Sequence, residues 1–407
     1  MFLRLMSISW RSIWRNGRRT VITGLAIGLG LASMLFTDAL MQGMGSHMIQ
    51  VATDSWMGQG QIHRNGFLET KKLELTINAA AGLLEQLAQD TTVAGFTPRI
   101  ISPASVSSAR ELKPVTLYGV DLSTDTTVTM LNSALVQGQY FSGDSMEIVL
   151  GDELARDLKA RMGDIIVITV AQLDGGLASS MYSVSGICRF GTQDLDRYAV
   201  FINAGSADAL LNLQGRIHEI AVRFHDIETG TDSTGAFQQT YTAGGNRALG
   251  WPQLAPQVDS MKGMIKISMA IMAFILFGMV IFGIINSLFM SVYERMFEFA
   301  IMKAVGTRPG SVASMVVLEA FWLGVFSTCI GLLMGLATLL ITSKTGISFG
   351  EIEFSGIVFD RPIYPVISMS SMFVYSLFTI FLTAAAGIFP GIHAARLNPS
   401  ESMRRSM

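Results

Sequence analysis

Residues 267–292 read ISMAIMAFILFGMVIFGIINSLFMSV, a run without one charge, set between Lys262 and Lys266 on one side and Glu294 and Arg295 on the other. About 20 apolar residues cross ~30 Å of hydrocarbon at 1.5 Å per residue. In lipid the backbone has to satisfy its own hydrogen bonds, so this run predicts a membrane-spanning helix rather than a soluble core helix. Three more stretches reach the same length, at about Val21–Met41, Val312–Ser343 and Met369–Phe389. Half of the 407 residues are apolar, 15% are charged and the mean hydropathy is +0.44, against about 25% charged in a soluble chain. That excludes a soluble single-core enzyme and a disordered chain. Two cysteines, Cys188 and Cys329, exclude a disulfide framework. A formal charge of −2 argues against nucleic acid as a partner.

Orientation follows from basic residues near the helix ends. Arg4, Arg11, Arg15, Arg18 and Arg19 precede the first span; Arg295, Lys303 and Arg308 lie between the second and third; Arg396, Arg404 and Arg405 follow the fourth. Only Glu294, Glu298 and Glu401 oppose them there, whereas residues 44–260 hold 14 basic and 23 acidic residues. Both termini and the loop after the second span are therefore expected in the cytoplasm. The expected fold is an α-helical membrane protein of four transmembrane helices, one plus three, with a large mixed α/β domain inserted outside. The segments are an interfacial helix at 1–19, helix one at 20–43, the outside domain at 44–260, helix two at 261–293, a cytoplasmic helix at 294–309, helix three at 312–343, an outside loop at 344–366, helix four at 367–390 and a cytoplasmic tail at 391–407. Leu3, Met6, Trp10 and Ile13 recur at helical spacing beside Trp14 and three arginines, which predicts an amphipathic helix on the membrane surface.

Within the outside domain, periodicity predicts helices at Asn78–Asp90, Asp152–Ala160 and Ser206–Leu213, and strands at Pro114–Val120, Glu147–Leu150, Asp164–Val170, Met181–Ile187, Tyr198–Ile202 and His218–Phe224. Thr229–Gly245 reads as a poor helix or a connector. Residues 171–180 contain Asp174-Gly175-Gly176, a hairpin signal. This loop is longer than a tight turn, so Leu173 and Leu177 would be exposed, either as a partner contact or as an ordinary hairpin tip.

No catalytic constellation emerges. There is no phosphate-binding G-x-x-x-x-G-K-[ST], no G-x-S-x-G elbow and no paired histidine motif. His63 and His218 read as strand residues. Gly28 and Gly30 lie in a membrane helix, where glycine lets neighbours approach. Asp38 and Glu319 are carboxylates in membrane segments, suited to snorkelling or to helix packing. The loop after helix two carries an apolar stripe of Phe297, Ala300, Ile301 and Ala304, with Gly306 as a helix terminator before Pro309. A short amphipathic helix of this kind can dock in a groove of a cytoplasmic partner.

The run E-R-x-x-E-x-A-I-x-K-A-x-G at 294–306 resembles the coupling-helix signature of the MacB/FtsX superfamily of ABC transporter permeases. The tail from Pro390 through Ala394, Ala395, Arg396 and Pro399 to Arg404 resembles that superfamily's ending, with Ser402-Met403 in place of Ala-Leu. Within it, Phe282-Gly-Ile-Ile-Asn286-Ser287-Leu288, Gly250-Trp251-Pro252, Tyr118-Gly-Val-Asp121, Gly138-Gln-Tyr-Phe141 and Glu147-Ile-Val-Leu-Gly151 look most like the lipoprotein-releasing permeases of the LolC/LolE type. The hairpin falls where one of those homologues carries a hook for a soluble carrier, but it is shorter here and lacks proline.

The resemblance implies a multi-pass protein of the bacterial inner membrane and no enzyme in this chain. ATP and Mg would sit on a cytoplasmic ABC ATPase dimer, and a second permease subunit, identical or not, would complete the assembly. Glu294, Arg295, Glu298, Ala300, Lys303 and Gly306 would couple to the ATPase. Met34, Leu35 and Met41 on helix one, and Phe274, Phe277, Phe282 and Phe289 on helix two, would line a cavity for a lipoprotein or another amphiphile. Leu173, Asp174, Gly175, Gly176 and Leu177 would meet a periplasmic carrier. No metal site is implied. A MacB-like exporter of a drug, peptide or glycolipid, and an FtsX-like signalling protein that moves no substrate, stay open as alternatives.

Overall fold

The computed structural model describes residues 2–15, 17–141, 146–231, 235–348, 352–354, 357–359 and 362–396. In chain order, helix α1 (Phe2–Arg15) is followed by α2 (Gly17–Ala52), which passes directly into a π turn at Thr53–Met57. Then come β1 (Gly60–Arg64), α3 (Phe67–Thr70), α4 (Ala80–Gln89), β2 (Val93–Ser107), β3 (Leu112–Val120), α5 (Leu122–Val128), β4 (Leu135–Gly138) and β5 (Glu147–Gly151). The domain continues with α6 (Asp152–Asp157), β6 (Ile165–Ala171), β7 (Leu177–Cys188), α7 (Gln193–Tyr198), β8 (Ala199–Asn203), α8 (Ala204–Leu211), β9 (Glu219–Phe224), α9 (Ala236–Tyr241), β10 (Asn246–Gly250) and α10 (Trp251–Leu254). After it stand α11 (Pro256–Glu294), α12 (Met296–Ala304), α13 (Pro309–Thr345), the short pair β11 (Ile352–Phe354) and β12 (Ile357–Phe359), α14 (Met369–Ala386) and α15 (Ile388–Arg396).

The chain forms two compact units, one of helices and one built mainly from residues 46–262. Among the described residues, four helical segments are long and apolar enough to cross a membrane: Gly17–Met57, Pro256–Glu294, Pro309–Thr345 and Met369–Arg396. Small residues set their spacing. A Cβ on Gly28 would lie 3.0 Å from the Ser327 carbonyl oxygen, and one on Gly331 would lie 2.8 Å from that of Gly28, so α2 and α13 cross backbone to backbone. Ile27, Ile284, Leu288, Ala320, Leu323 and Ala386 close the core from four helices. The expected amphipathic helix is α1. Its Ser9 hydroxyl donates to the Met315 carbonyl at 3.1 Å, and Trp10 and Trp14 make edge contacts with Trp322 and Phe326, so its tryptophans rest on α13.

In the other unit, one sheet runs β10-β1-β9-β2-β3-β8-β5-β7-β4, with β6 against β2 and β7. All pairs are antiparallel except β3–β8 and β5–β7. The 15-residue β2 ties the unit together, because Val93–Arg99 pairs with β9 and Ile100–Ser107 pairs with β3. One apolar cluster gathers around Ile62, Leu87, Ile220 and Phe237, and another around Leu117, Ile148, Ile168 and Leu211. The 229–245 stretch contains α9, whose Phe237 and Tyr241 are buried, so there it is a packed helix; residues 232–234 lie outside the described residues. Cys188 and Cys329 are both free.

Candidate functional site

The signature at 294–306 folds as the end of α11, a one-residue break at Arg295, and α12. The break is where the charges converge. Arg295 donates to Glu319 at 2.9 Å, to Ser12 at 2.6 Å and to Glu298 at 3.1 Å, and it lies 5.1 Å from the Phe299 ring centre. Glu298 also accepts from Arg15, and Glu294 accepts from Arg19 at 2.7 Å. The Ser291 hydroxyl completes Glu319 at 3.2 Å. Lys303 donates to the Ala395 carbonyl at 2.8 Å, at the end of α15. Burial works against the charge on Glu298, but hydrogen bonds from Arg15 and Arg295 outweigh it and hold the carboxyl below its ordinary range. Gly306 adopts φ +98°, and Thr307 N–H closes back on the Met302 carbonyl at 3.0 Å, a glycine helix stop. The segment is thus braced to α1, α2, α13 and α15.

The apolar stripe expected on α12 divides in two. Phe299 and Ala300 point into the unit, while Phe297, Ile301 and Val305 form the outward face, with Val305 83% exposed. Sequence spacing grouped Ala300 with Phe297 and Ile301, but Ala300 lies about 100° round the helix from Ile301, beside Phe299, and is covered.

The two carboxylates in membrane segments both serve packing. Asp38 accepts from Tyr375 at 3.2 Å and from Gln42 at 2.7 Å, joining α2 to α14, and Glu319 holds Arg295.

The residues expected to line a cavity do not converge. Met34 and Leu35 are buried, and Leu35 packs on Gly335 of α13. Met41 is half-buried. Phe277 is buried in an edge contact with Phe378, and Phe289 meets Phe389 and His393. Phe274 and Phe282 are 81% and 78% exposed on the outer face of α11. The groove between α2 and α11 is lined instead by Ile22, Ala26, Leu29 and Gly30 facing Leu276, Met279 and Gly283, and encloses about 470 Å³. That groove lies on the same two helices, on another face of α11. Uniformly apolar helices have no polar side from which rotation can be read.

The 171–180 loop is also tighter than expected. β6 and β7 pair out to Ala171↔Leu177, leaving a turn of Gln172–Gly176 closed by Gln172 N–H on the Gly176 carbonyl at 2.8 Å. Asp174 accepts from Gly176 N–H at 3.0 Å, and Gly175 takes φ +84°. Leu173 is half-buried, its N–H on the Leu211 carbonyl at 3.2 Å; Leu177 is 80% exposed. Long strands of Ser, Thr and Ala alternate too weakly to announce themselves.

Sequence reasoning passed over Arg99. Its guanidinium is wholly buried, bidentate on Asp125 at 2.8 and 3.1 Å, and donates to Glu219 and to the Trp56 carbonyl, each at 2.8 Å. It lies 3.7 Å from the Trp56 ring centre. Burial opposes the charge, yet the two carboxylates more than offset it and raise its pKa. An arginine between Pro98 and Ile100 in an apolar strand was the available signal. Beside it, His63, Phe67 and His218 stack with ring centres 5.6 and 5.2 Å apart. Burial lowers the pKa of His63 to about 4 and also lowers that of His218. Among the described residues no group of three or more His, Cys, Asp or Glu side chains could hold a metal ion.

These features define a class: a multi-span inner-membrane protein with a braced amphipathic helix between two spans and a large α/β domain between the first two. Residues 20–239 match the MacB-like periplasmic core domain and residues 270–399 the FtsX-like permease C-terminal domain, so the chain belongs to the MacB/FtsX family of ABC transporter permeases. The lipoprotein-releasing system transmembrane protein LolC of Xylella fastidiosa is 22% identical over 93% of this chain and 92% of its own length. LolE of Haemophilus influenzae is 23% identical over 81% of each. The pyoverdine export ATP-binding/permease protein PvdT of Pseudomonas syringae pv. tomato is 24% identical over 85% of this chain and 54% of its own. The periplasmic region of MacB from Actinobacillus actinomycetemcomitans superposes with 13% identity over 52% of this chain and 94% of that one, at a TM-score of 0.34. Permeases of this family generally work with a cytoplasmic ATPase and a second permease subunit.

Proposed function

We propose that this chain is the permease subunit of a mechanotransmission transporter that extracts lipoproteins from the inner membrane for release towards the outer membrane. Both termini and α12 face the cytoplasm. A separate ATPase dimer docks on Phe297, Ile301 and Val305, and a second permease subunit faces this one across the membrane. The observation that carries this reading is the bracing of α12: a push on its outward face is passed to α1, α2 and α13 through Arg15, Arg19 and Arg295. Energy input is needed because each buried CH₂ is worth about 0.8 kcal/mol, so three acyl chains of about 15 carbons cost on the order of 30 kcal/mol to draw into water. The groove between α2 and α11 offers those chains an apolar wall. Leu177, at the mouth of the hairpin, is the contact for a periplasmic carrier. The likeness to a pyoverdine exporter favours a second reading, export of a small amphiphile.

Affinity purification in mild detergent, with mass spectrometry of what accompanies the chain, separates these readings. Acylated proteins and a free-standing ATPase support the first. A small amphiphile without lipoproteins supports the second, and neither with a working ATPase would leave a signalling role. In the reconstituted complex, Glu298→Lys or Gly306→Pro is expected to abolish cargo-stimulated ATP turnover while the protein still inserts. Normal stimulation in both would remove the coupling role of α12.

A further inference from the structure

We infer that Arg99 is a positioning residue that locks the outer end of α2 to the sheet of the domain, so that a displacement of α2 is delivered to the domain rather than absorbed at the turn between them. The inference rests on the permease reading above. After Ala52 the helix widens into the π turn Thr53–Met57, then reverses at Gly58 with φ +74° before β1 begins. A π turn is rare and occurs mostly as a single turn within α-helices, so the connection departs from regular α-helix here.

The turn is covered, with Thr53, Asp54, Ser55 and Trp56 all buried, but apolar contact carries no direction. Trp56 meets the rings of Tyr118 and Phe201 at 4.6 and 5.0 Å on one side. It also borders a cavity of about 970 Å³ that Ser55, Tyr118 and Glu219 help to line. Arg99 adds directed bonds to this packing. From β2, one planar fork reaches the π turn that follows α2 through the Trp56 carbonyl and ring, β9 through Glu219, and α5 through Asp125. The Thr129 hydroxyl fixes Asp125 at 2.6 Å, and Met130 N–H donates to the Asp54 carbonyl at 2.6 Å, a second tie to the same turn. Buried ion pairs add little net stability over an apolar filling. What a guanidinium supplies that Met or Leu cannot is direction: several donors in a fixed fork, which here reach three elements at once.

The test uses the full chain with its ATPase in lipid nanodiscs, in a Cys329→Ser background, with spin labels on Ser46→Cys and Asp174→Cys. Both positions are exposed, and Cys188 is buried. The wild-type pair is expected to give one narrow distance with and without ATP. Arg99→Lys keeps the charge and loses the fork. It is expected to keep the fold and ATP turnover, to broaden that distance, and to lower release of a fluorescent acylated peptide per ATP by about five-fold, within the range of a modest coupling energy. A narrow distance and a wild-type release ratio in Arg99→Lys overturn the inference. If Arg99→Lys unfolds, Trp56→Leu, which removes the stacking platform and leaves the carboxylates paired, is read by the same two outcomes. A wild-type complex with a narrow distance but no ATP-linked release would defeat the permease reading while the label distances still judge the joint.

Discussion

Arg295 in the helical unit and Arg99 in the α/β unit are built to one plan. Each guanidinium meets two carboxylates and an aromatic face: Glu298, Glu319 and Phe299 for the first, Asp125, Glu219 and Trp56 for the second. Their surroundings differ. Every charged partner of Arg99 is buried, whereas Glu298 is 40% exposed and shared with the exposed Arg15. In the dry setting neither charge can be left unpaired, so the geometry is fixed. At Arg295 water can replace the exposed Glu298 at little cost, while the buried Glu319 stays in place. A joint that must hold suits the first arrangement, and a surface that must accept and release a motor subunit suits the second.

The contrast is breakable. Asp125→Ala should have the largest effect, lowering stability by about 3–5 kcal/mol, because it strands a buried guanidinium. Glu298→Ala should cost under ~1 kcal/mol. Thermal unfolding of the detergent-purified chain measures both, and equal shifts would mean that the two sites are not distinct. Glu319→Ala should fall between, at about 2 kcal/mol, since Arg295 keeps Glu298 and gains water.

Acid sharpens the comparison next. His63 stays neutral in the folded domain down to about 4, and burial shifts His218 the same way, while the unfolded chain takes up protons below the ordinary histidine value of about 6.5. Stability is therefore lost as pH falls from there towards the value of about 4 held by His63, by up to about 1.4 kcal/mol per pH unit for that residue. Glu298 has the opposite sign: its contribution is present above the ordinary carboxylate range and disappears only as pH falls through its depressed pKa. Melting between pH 7 and 5 should thus drop in wild type and flatten in His63→Gln, with Glu298→Ala leaving the slope unchanged. The smallest effect is that of salt. Raising NaCl to about 1 M shortens the screening length to ~3 Å. It should weaken α12 at Arg15–Glu298 and Arg19–Glu294, read as faster cross-linking of Val305→Cys, without altering the Ser46–Asp174 distance.

Much of the fold was legible because its signals are long or chemically singular. Four apolar runs gave four spanning helices, and DIIVITV at 164–170 gave β6 to within a residue. In the 294–306 segment, Glu294, Arg295, Glu298, Lys303 and Gly306 stood out through a family resemblance, and each has a structural partner or a backbone reason. The tail motif was legible only to Arg396, since residues 397–407 lie outside the described residues. β2, β4 and β10 were not anticipated, and β1 only as the strand setting of His63. β2 runs through Gly95, Pro98 and Pro103, which interrupt the alternation that marks a strand.

The sequence by itself determined which segments enter lipid, the grouping of charge on one set of loops, and the glycine that ends α12, because hydrophobic length, net charge and φ freedom are properties of residues taken nearly one at a time. Only the tertiary structure decided which face of each apolar helix meets a neighbour, that Ala300 turns inward while Val305 turns out, and that an arginine on β2 grips the end of a helix more than forty positions away. Those outcomes depend on rotation, register and the pairing of buried charges, quantities that exist only once distant parts of the chain have been brought together.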